Sequence, residues 1–252
     1  MKKIKILDIP FDNVTLGEAV RLAFEFIEEK RQALAITPNA EILQLCMSDK
    51  YMKAIALSAE IVLPDGEGVL LAAKAFGTPL KEKVAGVDFG FECAHKAAQT
   101  GKSIFLLGGK IGIAEKAAAT LKKRFPQLRI SGTGDGYFDK SKKGSRAIVK
   151  KINESKADIL FLCLGAPRQE MWAHENRAAL PKVKLIACLG GSLDVYAGKA
   201  KRAPKLFIKM RAEWLWRLLC QPKRITRIIK LPEFMISVYK HKKNLKKMRN
   251  IK

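Results

Sequence analysis

Two polar segments that could carry out acid–base chemistry follow short apolar segments of the chain. The segment TPNAE (37–41) follows ALAI, and the segment DGEG (65–68) follows EIVLP. A carboxylate such as Asp65, next to glycine in a cleft, can take a proton from an attacking hydroxyl as a general base. The same residue types cap helices and shape turns. Asp65 as a helix cap and Asn39 as a turn residue are therefore equally good interpretations.

Three glycine turns follow other apolar segments of the sequence. They are Gly108-Gly109-Lys110, Gly165-Ala166-Pro167 and Gly190-Gly191-Ser192. Glycine turns at the carboxyl ends of parallel strands, next to helix amino termini, offer backbone N–H groups to anions. Together they predict a nucleotide or phosphate site, although each one alone is also an ordinary tight turn. None is a GxGxxG or Walker loop, so the motif of a dinucleotide enzyme or an NTP hydrolase is missing.

The sequence has no motif for a catalytic metal. It contains no HExxH, no DxD and no His/Cys cluster, and its three histidines are His95, His174 and His241. If a diphosphate leaving group has to be stabilised, cationic side chains must do it. The basic carboxyl-terminal part of the chain offers Arg217, Arg224 and Arg227. We therefore expect neither a metal nor a cofactor.

Strand-sized apolar segments alternate with helical patterns over most of the chain. Strands are predicted at 33–37, 60–64, 103–108, 129–134, 158–165 and 184–190. Helices are predicted at 15–31, 87–100, 112–124, 142–156 and 169–180. The first helix opens with the capping-box spacing Thr15-Leu-Gly-Glu18. The expected fold class is α/β: a Rossmann-like, mostly parallel sheet sandwiched by helices, with a basic helical appendage at the carboxyl-terminal end.

Positive charge is concentrated in that appendage. The chain has 48 Lys and Arg against 24 Asp and Glu, a net charge of +24, and residues 199–252 hold 18 Lys and Arg with two Glu, a net +16. A basic segment that also contains aromatic residues is interpreted as an attachment surface for polyanions such as a membrane face. We place a boundary near residue 197, between an α/β catalytic domain (1–197) and a membrane-docking appendage (198–252). The alternative is that these are closing helices of a single domain.

Cysteine usage and hydropathy bear on the compartment. Asp8 and Pro10 interrupt the amino-terminal segment before a signal-peptide stretch can form. No run approaches the roughly 18 apolar residues that a membrane span needs. The cysteines have no CxxC or metal-ligand spacing, which is typical of reduced core residues in a cytosol; they are Cys46, Cys93, Cys163, Cys188 and Cys220. We expect a cytoplasmic protein, peripheral on the inner face of the cell membrane.

Nine sequence blocks run in order along nearly the whole chain. They are TPNAEI (37–42), LPDGEGV (63–69), VAGVDF (84–89), FLLGG (105–109), GDGYF (134–138), LGAPRQEMW (164–172), GGSLDVYAGKAKRAP (190–204), EWLWRL (213–218) and QPKRITR (221–227). This ordered set resembles the bacterial WecG/TagA/CpsF glycosyltransferase family, specifically its N-acetylmannosaminyltransferase branch. The resemblance implies an inverting, metal-independent transfer of N-acetylmannosamine from a UDP donor. The implied acceptor is the 4-hydroxyl of N-acetylglucosamine on undecaprenyl diphosphate, in the linkage unit of wall teichoic acid.

The resemblance also implies roles for individual residues. Asp65 is the expected catalytic base, and Thr37 and Asn39 are expected to position substrate in the active site. The expected substrate-binding residues are Gln169, Tyr137, Gly191 and Asp194, the turn residues Gly108 and Gly109, and the appendage arginines Arg217, Arg224 and Arg227. Lys83 joins this set with one departure, since the family tends to have arginine immediately before VAG. Lysine keeps the charge but loses the bidentate fork that suits a phosphate.

Other hypotheses remain open from the sequence. The same family architecture would serve a different UDP donor, such as a uronic acid of N-acetylmannosamine or a glucose-type sugar. The charge of +24 also fits a nucleic-acid-binding protein, although no helix-turn-helix, RRM, KH or zinc-finger signature accompanies it. The α/β alternation fits a dehydrogenase or a nucleotide sensor, but the dinucleotide fingerprint is missing. The resemblance and the apolar residues of the appendage permit a homo-oligomer away from the membrane.

Overall fold

The computed structural model describes residues 2–139, 142–204, 207, 210, 215–216, 218 and 230–249. Within them, six parallel strands form the main sheet in the order β4-β3-β8-β7-β5-β6. These strands are β3 (Ala33–Ile36), β4 (Ile61–Val62), β5 (Ser103–Gly108), β6 (Arg129–Gly134), β7 (Ile159–Cys163) and β8 (Leu185–Cys188). All six predicted strands are present, and the predicted α/β class with a parallel sheet is confirmed.

Helices connect these strands. They are α1 (Leu16–Glu28), α2 (Ala40–Ser48), α3 (Lys50–Ser58), α4 (Glu67–Ala75), α5 (Gly86–Thr100), α6 (Ile113–Arg124), α7 (Lys142–Ser155), α8 (Arg168–Asn176), α9 (Ser192–Tyr196) and α10 (Lys230–Arg249). A short 3-10 turn (Arg177–Ala179) follows α8, in place of the single helix expected over 169–180. The capping box of α1 forms as predicted, because Thr15 accepts from the Glu18 amide and Glu18 accepts from the Thr15 amide.

The helices cover both faces of the sheet because alternate strand residues point to opposite sides. In β5, Phe105 and Leu107 belong to one core, while Ile104 and Leu106 belong to the other. The first core is shared with α2, α3, α4, α7, α8 and α10, and the second with α1, α5, α6 and α9. This arrangement explains why the buried strands read as continuous apolar runs rather than as alternating patterns.

An amino-terminal hairpin lies beside the edge strand β4. Its strands are β1 (Lys3–Ile6) and β2 (Ile9–Asp12), and they pair antiparallel. Asp12 of the hairpin is 1% exposed and accepts a hydrogen bond of 2.8 Å from the Val62 amide of β4. The sequence patterns did not predict these two strands. Their turn uses two non-glycine residues with positive φ, Leu7 and Asp8, in place of the glycine that usually marks such a turn.

Helix α10 packs against the rest of the fold rather than standing apart from it. Phe234 and Val238 are completely buried and belong to the same core as α2 and α4. His241 packs edge-on against Phe76 and lies 3.7 Å from Asp8, from Nε2 to Oδ1. The Lys242 ammonium donates to the backbone oxygen of Ala75. The boundary near residue 197 stays a prediction, and most of residues 205–229 lie outside the described part of the chain.

Two further expectations concern hydropathy and thiols. Among the described helices, none combines the length and the apolar character needed to cross a membrane. Four of the five cysteines lie within the described residues, and all four are free and buried. They occupy core positions, as the sequence predicted, while Cys220 lies outside the described residues.

Candidate active site

The candidate site lies along the carboxyl edge of the sheet. The chain leaves β5 and β8 toward α6 and α9 on one face, whereas it leaves β3, β4 and β7 toward α2, α4 and α8 on the other. The connections that leave neighbouring strands therefore diverge at three places: between β3 and β8, between β8 and β7, and between β7 and β5. In open α/β sheets, crevices of this kind are where ligands bind.

Asp65 is half-buried at the end of the β4 connection. Its backbone amide donates to the Pro38 oxygen at 3.3 Å, which joins the loop after β4 to the loop after β3. Its carboxylate Oδ2 accepts a long hydrogen bond of 3.5 Å from the Gly86 amide, at the start of α5. Helix α4 begins after Gly66, which has a φ of +95° and no side chain to cap the helix. The carboxylate is thus held at the sheet edge beside a helix amino terminus.

Thr37 and Asn39 lie in the neighbouring loop. The Thr37 hydroxyl donates to the Cys188 oxygen at 3.2 Å, so it joins the ends of β3 and β8. Asn39 is the N-cap of α2, with Oδ1 accepting from the Ile42 amide at 3.1 Å. A Cβ on Gly66 would lie 3.9 Å from the Asn39 Cβ, which places Asn39 against the Asp65 loop. The structure therefore brings all three predicted catalytic residues to one end of the sheet.

Lys83 approaches the same loop from the α4–α5 connection. The Val84 amide donates to the Pro64 oxygen at 2.9 Å, which holds this connection beside the residue before Asp65. The Lys83 ammonium lies 3.7 Å from Glu67 in the first turn of α4, and both side chains are mostly buried. The structure thus places a cation close to the predicted base.

Gln169 lies beneath the turn that follows β8. It is 2% exposed, and its Oε1 accepts a hydrogen bond of 3.0 Å from the Gly190 amide. Its Nε2 donates at 2.8 Å to Oε1 of Glu170, a residue that is itself 3% exposed. Burial raises the pKa of the Glu170 carboxyl. Sequence reasoning did not identify Glu170 as a site residue, because nothing in the APRQE block distinguishes it from an exposed helical glutamate.

Gly191 and Asp194 follow the same turn. Gly191 is the residue before α9, and a Cβ on it would lie 4.0 Å from Asp194 Oδ2. The Asp194 backbone oxygen accepts from the amides of Lys199 and Ala200, at 2.9 Å each. Further along, Arg202 makes a two-pronged ion pair with Asp88 in the first turn of α5. This segment is thereby held over the amino-terminal end of α5.

Gly108, Gly109 and Tyr137 lie at the other end of the edge, where β5 and β6 finish. A Cβ on Gly108 would lie 2.2 Å from the Cys163 oxygen, so only glycine fits there. The Gly136 amide donates to the Gly109 oxygen at 2.8 Å, and Arg168 donates to the Gly136 oxygen at 2.6 Å. Tyr137 is 68% exposed.

The predicted residues therefore fall into two groups. Three strands, β3, β8 and β7, separate β4 from β5. At about 4.8 Å per strand, the ends of β4 and β5 are roughly 19 Å apart. Asp65, Thr37, Asn39 and Lys83 are in one group, Gly108, Gly109 and Tyr137 are in the other, and the Gly190 turn lies between them.

Several helix amino termini at this edge have no side-chain cap at their N-cap residue. The N-cap residues of α4, α6 and α8 are Gly66, Gly112 and Pro167, and none of them makes a side-chain capping bond. By contrast, Thr15, Asn39 and Asp49 cap α1, α2 and α3 with their side chains. The first N–H groups of an uncapped helix, together with its dipole, favour an anionic ligand.

Three predicted residues cannot be located. Arg217, Arg224 and Arg227 lie outside the described residues. Within the described part of the chain, no group of three or more His, Cys, Asp or Glu side chains is arranged to hold a metal ion.

The fold is that of an α/β protein with crevices at the carboxyl edge of its parallel sheet, and the Asp65 carboxylate lies at one end of that edge. Comparison with known sequences makes this specific. The chain belongs to the glycosyl transferase WecG/TagA/CpsF family, whose model matches residues 4–248. It is therefore a glycosyltransferase, and the resemblance identified from the nine sequence blocks is confirmed.

Curated relatives cover nearly the whole chain. A protein of Bacillus spizizenii is 35% identical over 242 residues, which are 96% of this chain and 92% of the relative. A protein of Bacillus subtilis is 32% identical over 98% of this chain and 94% of its own length. One from Staphylococcus aureus is 32% identical over 97% and 95% respectively. All three carry the name N-acetylglucosaminyldiphosphoundecaprenol N-acetyl-beta-D-mannosaminyltransferase.

Proposed function

We propose that this glycosyltransferase moves N-acetylmannosamine from a UDP donor to N-acetylglucosamine on undecaprenyl diphosphate, making the linkage unit of wall teichoic acid. The acceptor and the sugar are those in the names of relatives that match this chain over at least 96% of its length. The observation that carries the proposal is the position of Asp65 at the sheet edge, beside the Gly86 amide and two residues before Glu67, with which Lys83 pairs. A base at this position can meet an acceptor hydroxyl that enters the crevice.

The proposed chemistry is a single displacement with inversion at the anomeric carbon. The 4-hydroxyl oxygen of the acceptor attacks that carbon, and Asp65 takes the hydroxyl proton. The bond between the anomeric carbon and the UDP oxygen breaks, and UDP leaves with the bonding electrons. Holding both substrates in line supplies much of the rate enhancement. Positive groups that face the departing diphosphate stabilise its charge.

We assign the diphosphate of the donor to the Gly190–Gly191 turn, which lies between the two groups, assisted by Lys83 and by the appendage arginines Arg217, Arg224 and Arg227. Such groups replace the charge stabilisation that a metal ion gives in other transferases. The reaction should therefore continue in the presence of a chelator. Activity that EDTA abolishes and magnesium restores would contradict this part of the proposal.

The principal test is UDP release with a lipid-diphosphate N-acetylglucosamine acceptor, against donors that carry N-acetylmannosamine, its uronic acid or a glucose-type sugar. The wild-type protein should prefer the N-acetylmannosamine donor. Asp65→Asn should lower kcat by about 10²- to 10⁴-fold, the usual contribution of a general base, and should leave UDP binding unchanged. Asp49→Asn is the matched control, because Asp49 caps α3 and asparagine is an equally good cap. Normal turnover by Asp65→Asn would rule out Asp65 as the base.

We further propose that the basic appendage binds the anionic inner face of the membrane. Lys240 and Lys243 of α10 are exposed, and basic residues near an anionic surface contribute about 1 kcal/mol each. Replacing both by glutamine should weaken sedimentation with anionic vesicles by about thirtyfold, whereas replacing Lys122 and Lys123 of α6 should not. Equal binding of the two double variants would contradict a docking role for α10.

A further inference from the structure

Glu170 is a buried carboxyl group that the proposed chemistry does not use. It is 3% exposed on α8, directly after Gln169. Its Oε1 accepts the 2.8 Å hydrogen bond from Gln169 Nε2, and its Oε2 makes no hydrogen bond within the described structure. A buried carboxyl with one unsatisfied oxygen is expensive to keep, so its presence needs a physical reason.

The reason lies in the orientation of the Gln169 amide. The Gly190 backbone N–H can only donate, so it must face Oε1 of Gln169, at 3.0 Å. Nε2 then points to the opposite side, where it needs an acceptor. Glu170 Oε1 is that acceptor. Without it, the amide of Gln169 would lose the partner that distinguishes its two orientations.

The contact with Gly190 reaches the reaction centre in two short steps. Gly190 has a φ of +60° and follows Leu189 at the end of β8. A Cβ on Gly86 would lie 3.6 Å from the Leu189 Cα and 3.0 Å from the Thr37 hydroxyl oxygen. The Gly86 amide, in turn, donates to Asp65. A shift of the turn after β8 would therefore displace Thr37 and the start of α5.

We infer that Glu170 is a positioning residue for the transfer reaction: it orients the Gln169 amide, and Gln169 fixes the Gly190–Gly191 turn beside Thr37 and Gly86. This inference rests on the proposed function, since it assigns a role within that site. In this role Glu170 and Gln169 act from beneath the turn, through the backbone of Gly190. Glu170 does so as an acceptor, a task that requires no charge.

The electrostatic surroundings agree with a neutral acceptor. Burial raises the pKa of Glu170, which favours the protonated carboxyl group. The titratable groups that interact with it are buried thiols, Cys46 on α2 and Cys188 on β8. Burial raises the pKa of Cys46 to about 11 and raises that of Cys188 well above its ordinary value. The two thiols are therefore uncharged near neutral pH.

The test compares replacements that keep or remove the acceptor. Glu170→Gln keeps an oxygen for Gln169 and should hold kcat within about threefold of wild type, whereas Glu170→Met removes it and should lower kcat by about 10²-fold. Glu175→Met, at an exposed site on the same helix, is the matched control and should not change kcat.

A double variant tests whether the two residues act in series. In a Gln169→Ala background, Glu170→Met should then have no additional effect on kcat. Three outcomes would each overturn the inference. The first is a wild-type kcat in folded Glu170→Met, and the second is a loss of kcat in Glu170→Gln as large as that in Glu170→Met. The third is that Glu170→Met and Gln169→Ala lower kcat additively.

Hydrogen exchange at the Gly190 amide decides the matter without an activity assay. Gln169→Ala should accelerate this exchange by about tenfold or more, whereas Glu170→Gln should leave it unchanged. Acceleration by Glu170→Gln equal to that by Gln169→Ala would overturn the inference even if the Met variant does not fold. If the wild-type protein transfers no sugar in the assay, the proposed function is wrong. The hydrogen-exchange rates at Gly190 would still show whether Glu170 and Gln169 hold this turn.

Discussion

The carboxylate of Asp65 and the amide of Gly86 meet across the gap between β4 and α5, with 3.5 Å between Oδ2 and the backbone nitrogen. The donor is the first amide of a helix, so the positive end of that helix faces the carboxylate. Gly86 thus orients the proposed base, Asp65, from 21 positions further along the sequence. The distance between the two groups depends on how closely α5 can approach β3.

Gly86 sets that approach because it has no side chain. A Cβ there would lie 3.0 Å from the Thr37 hydroxyl oxygen, closer than side chains normally pack. Gly86→Ala should therefore move the start of α5 and lower kcat by about tenfold or more, with little loss of stability. Gly17→Ala on α1 is the control, since nothing lies within 4 Å of its Cβ position. Equal kcat values for the two variants would show that this packing does not matter for turnover.

Lys83 offers a test of the cation beside the base. Because lysine and arginine share the charge, Lys83→Arg should retain at least about a third of the wild-type kcat/KM for the donor. Lys83→Gln should lower kcat/KM by about tenfold or more, as expected for loss of a charged hydrogen bond. Lys81→Gln is the matched control, because Lys81 pairs with Glu18 at 2.9 Å on the surface. Steady-state kinetics over a donor concentration series separates these cases.

Phe234 tests whether α10 packs onto the fold in solution. Its side chain is fully buried against the core that α2 and α4 share, so Phe234→Ala should lower the free energy of unfolding by about 3–5 kcal/mol. Ile236→Ala, two residues along and 55% exposed, should change it by less than about 0.5 kcal/mol. Urea denaturation measures both variants. A cost for Phe234→Ala as small as that for Ile236→Ala would mean that α10 does not occupy this position.

Glu170 should make stability depend on pH. Its folded-state pKa is raised from the ordinary value of 4.5 by burial, so the folded protein holds the proton at pH values where the unfolded chain has released it. The stabilisation is complete below pH 4.5 and is lost as the pH rises through the folded pKa. Glu170→Gln cannot titrate, so its stability relative to wild type should increase over that range. Denaturation curves from pH 4.5 upward measure the difference, and Glu175→Gln is the control. A difference that does not change with pH would contradict the raised pKa.

Much of the fold follows from the sequence because buried parallel strands leave a plain signal. The segments around Phe105 and Phe161 are apolar on both faces, and both became central strands. The β1–β2 hairpin was missed because its turn has Leu7 at a positive φ, where glycine or asparagine is usual, so no turn motif marks it. Helix α8 ends earlier than predicted, at Asn176, whose side chain donates to the Trp172 oxygen.

The candidate site could be predicted only in part. Thr37 and Asp65 were expected at one sheet edge, because each follows a predicted strand, and they lie there. The sequence position of Asn39 was compatible both with a turn residue and with an active-site residue. In the structure its side chain caps α2. The contact of Gln169 with Gly190 joins residues 21 positions apart. It depends on how α8 packs beneath β8, which no local pattern encodes.

The packing of α10 has a consequence for biogenesis. The apolar surface that Phe234 and Val238 cover belongs to helices near the amino-terminal end, which the ribosome makes long before α10. Until the later helix arrives, that surface is open to water and prone to association with other nascent chains. We therefore expect a chain truncated between these amino-terminal helices and α10 to be degraded by proteolytic quality control rather than to form a smaller active enzyme.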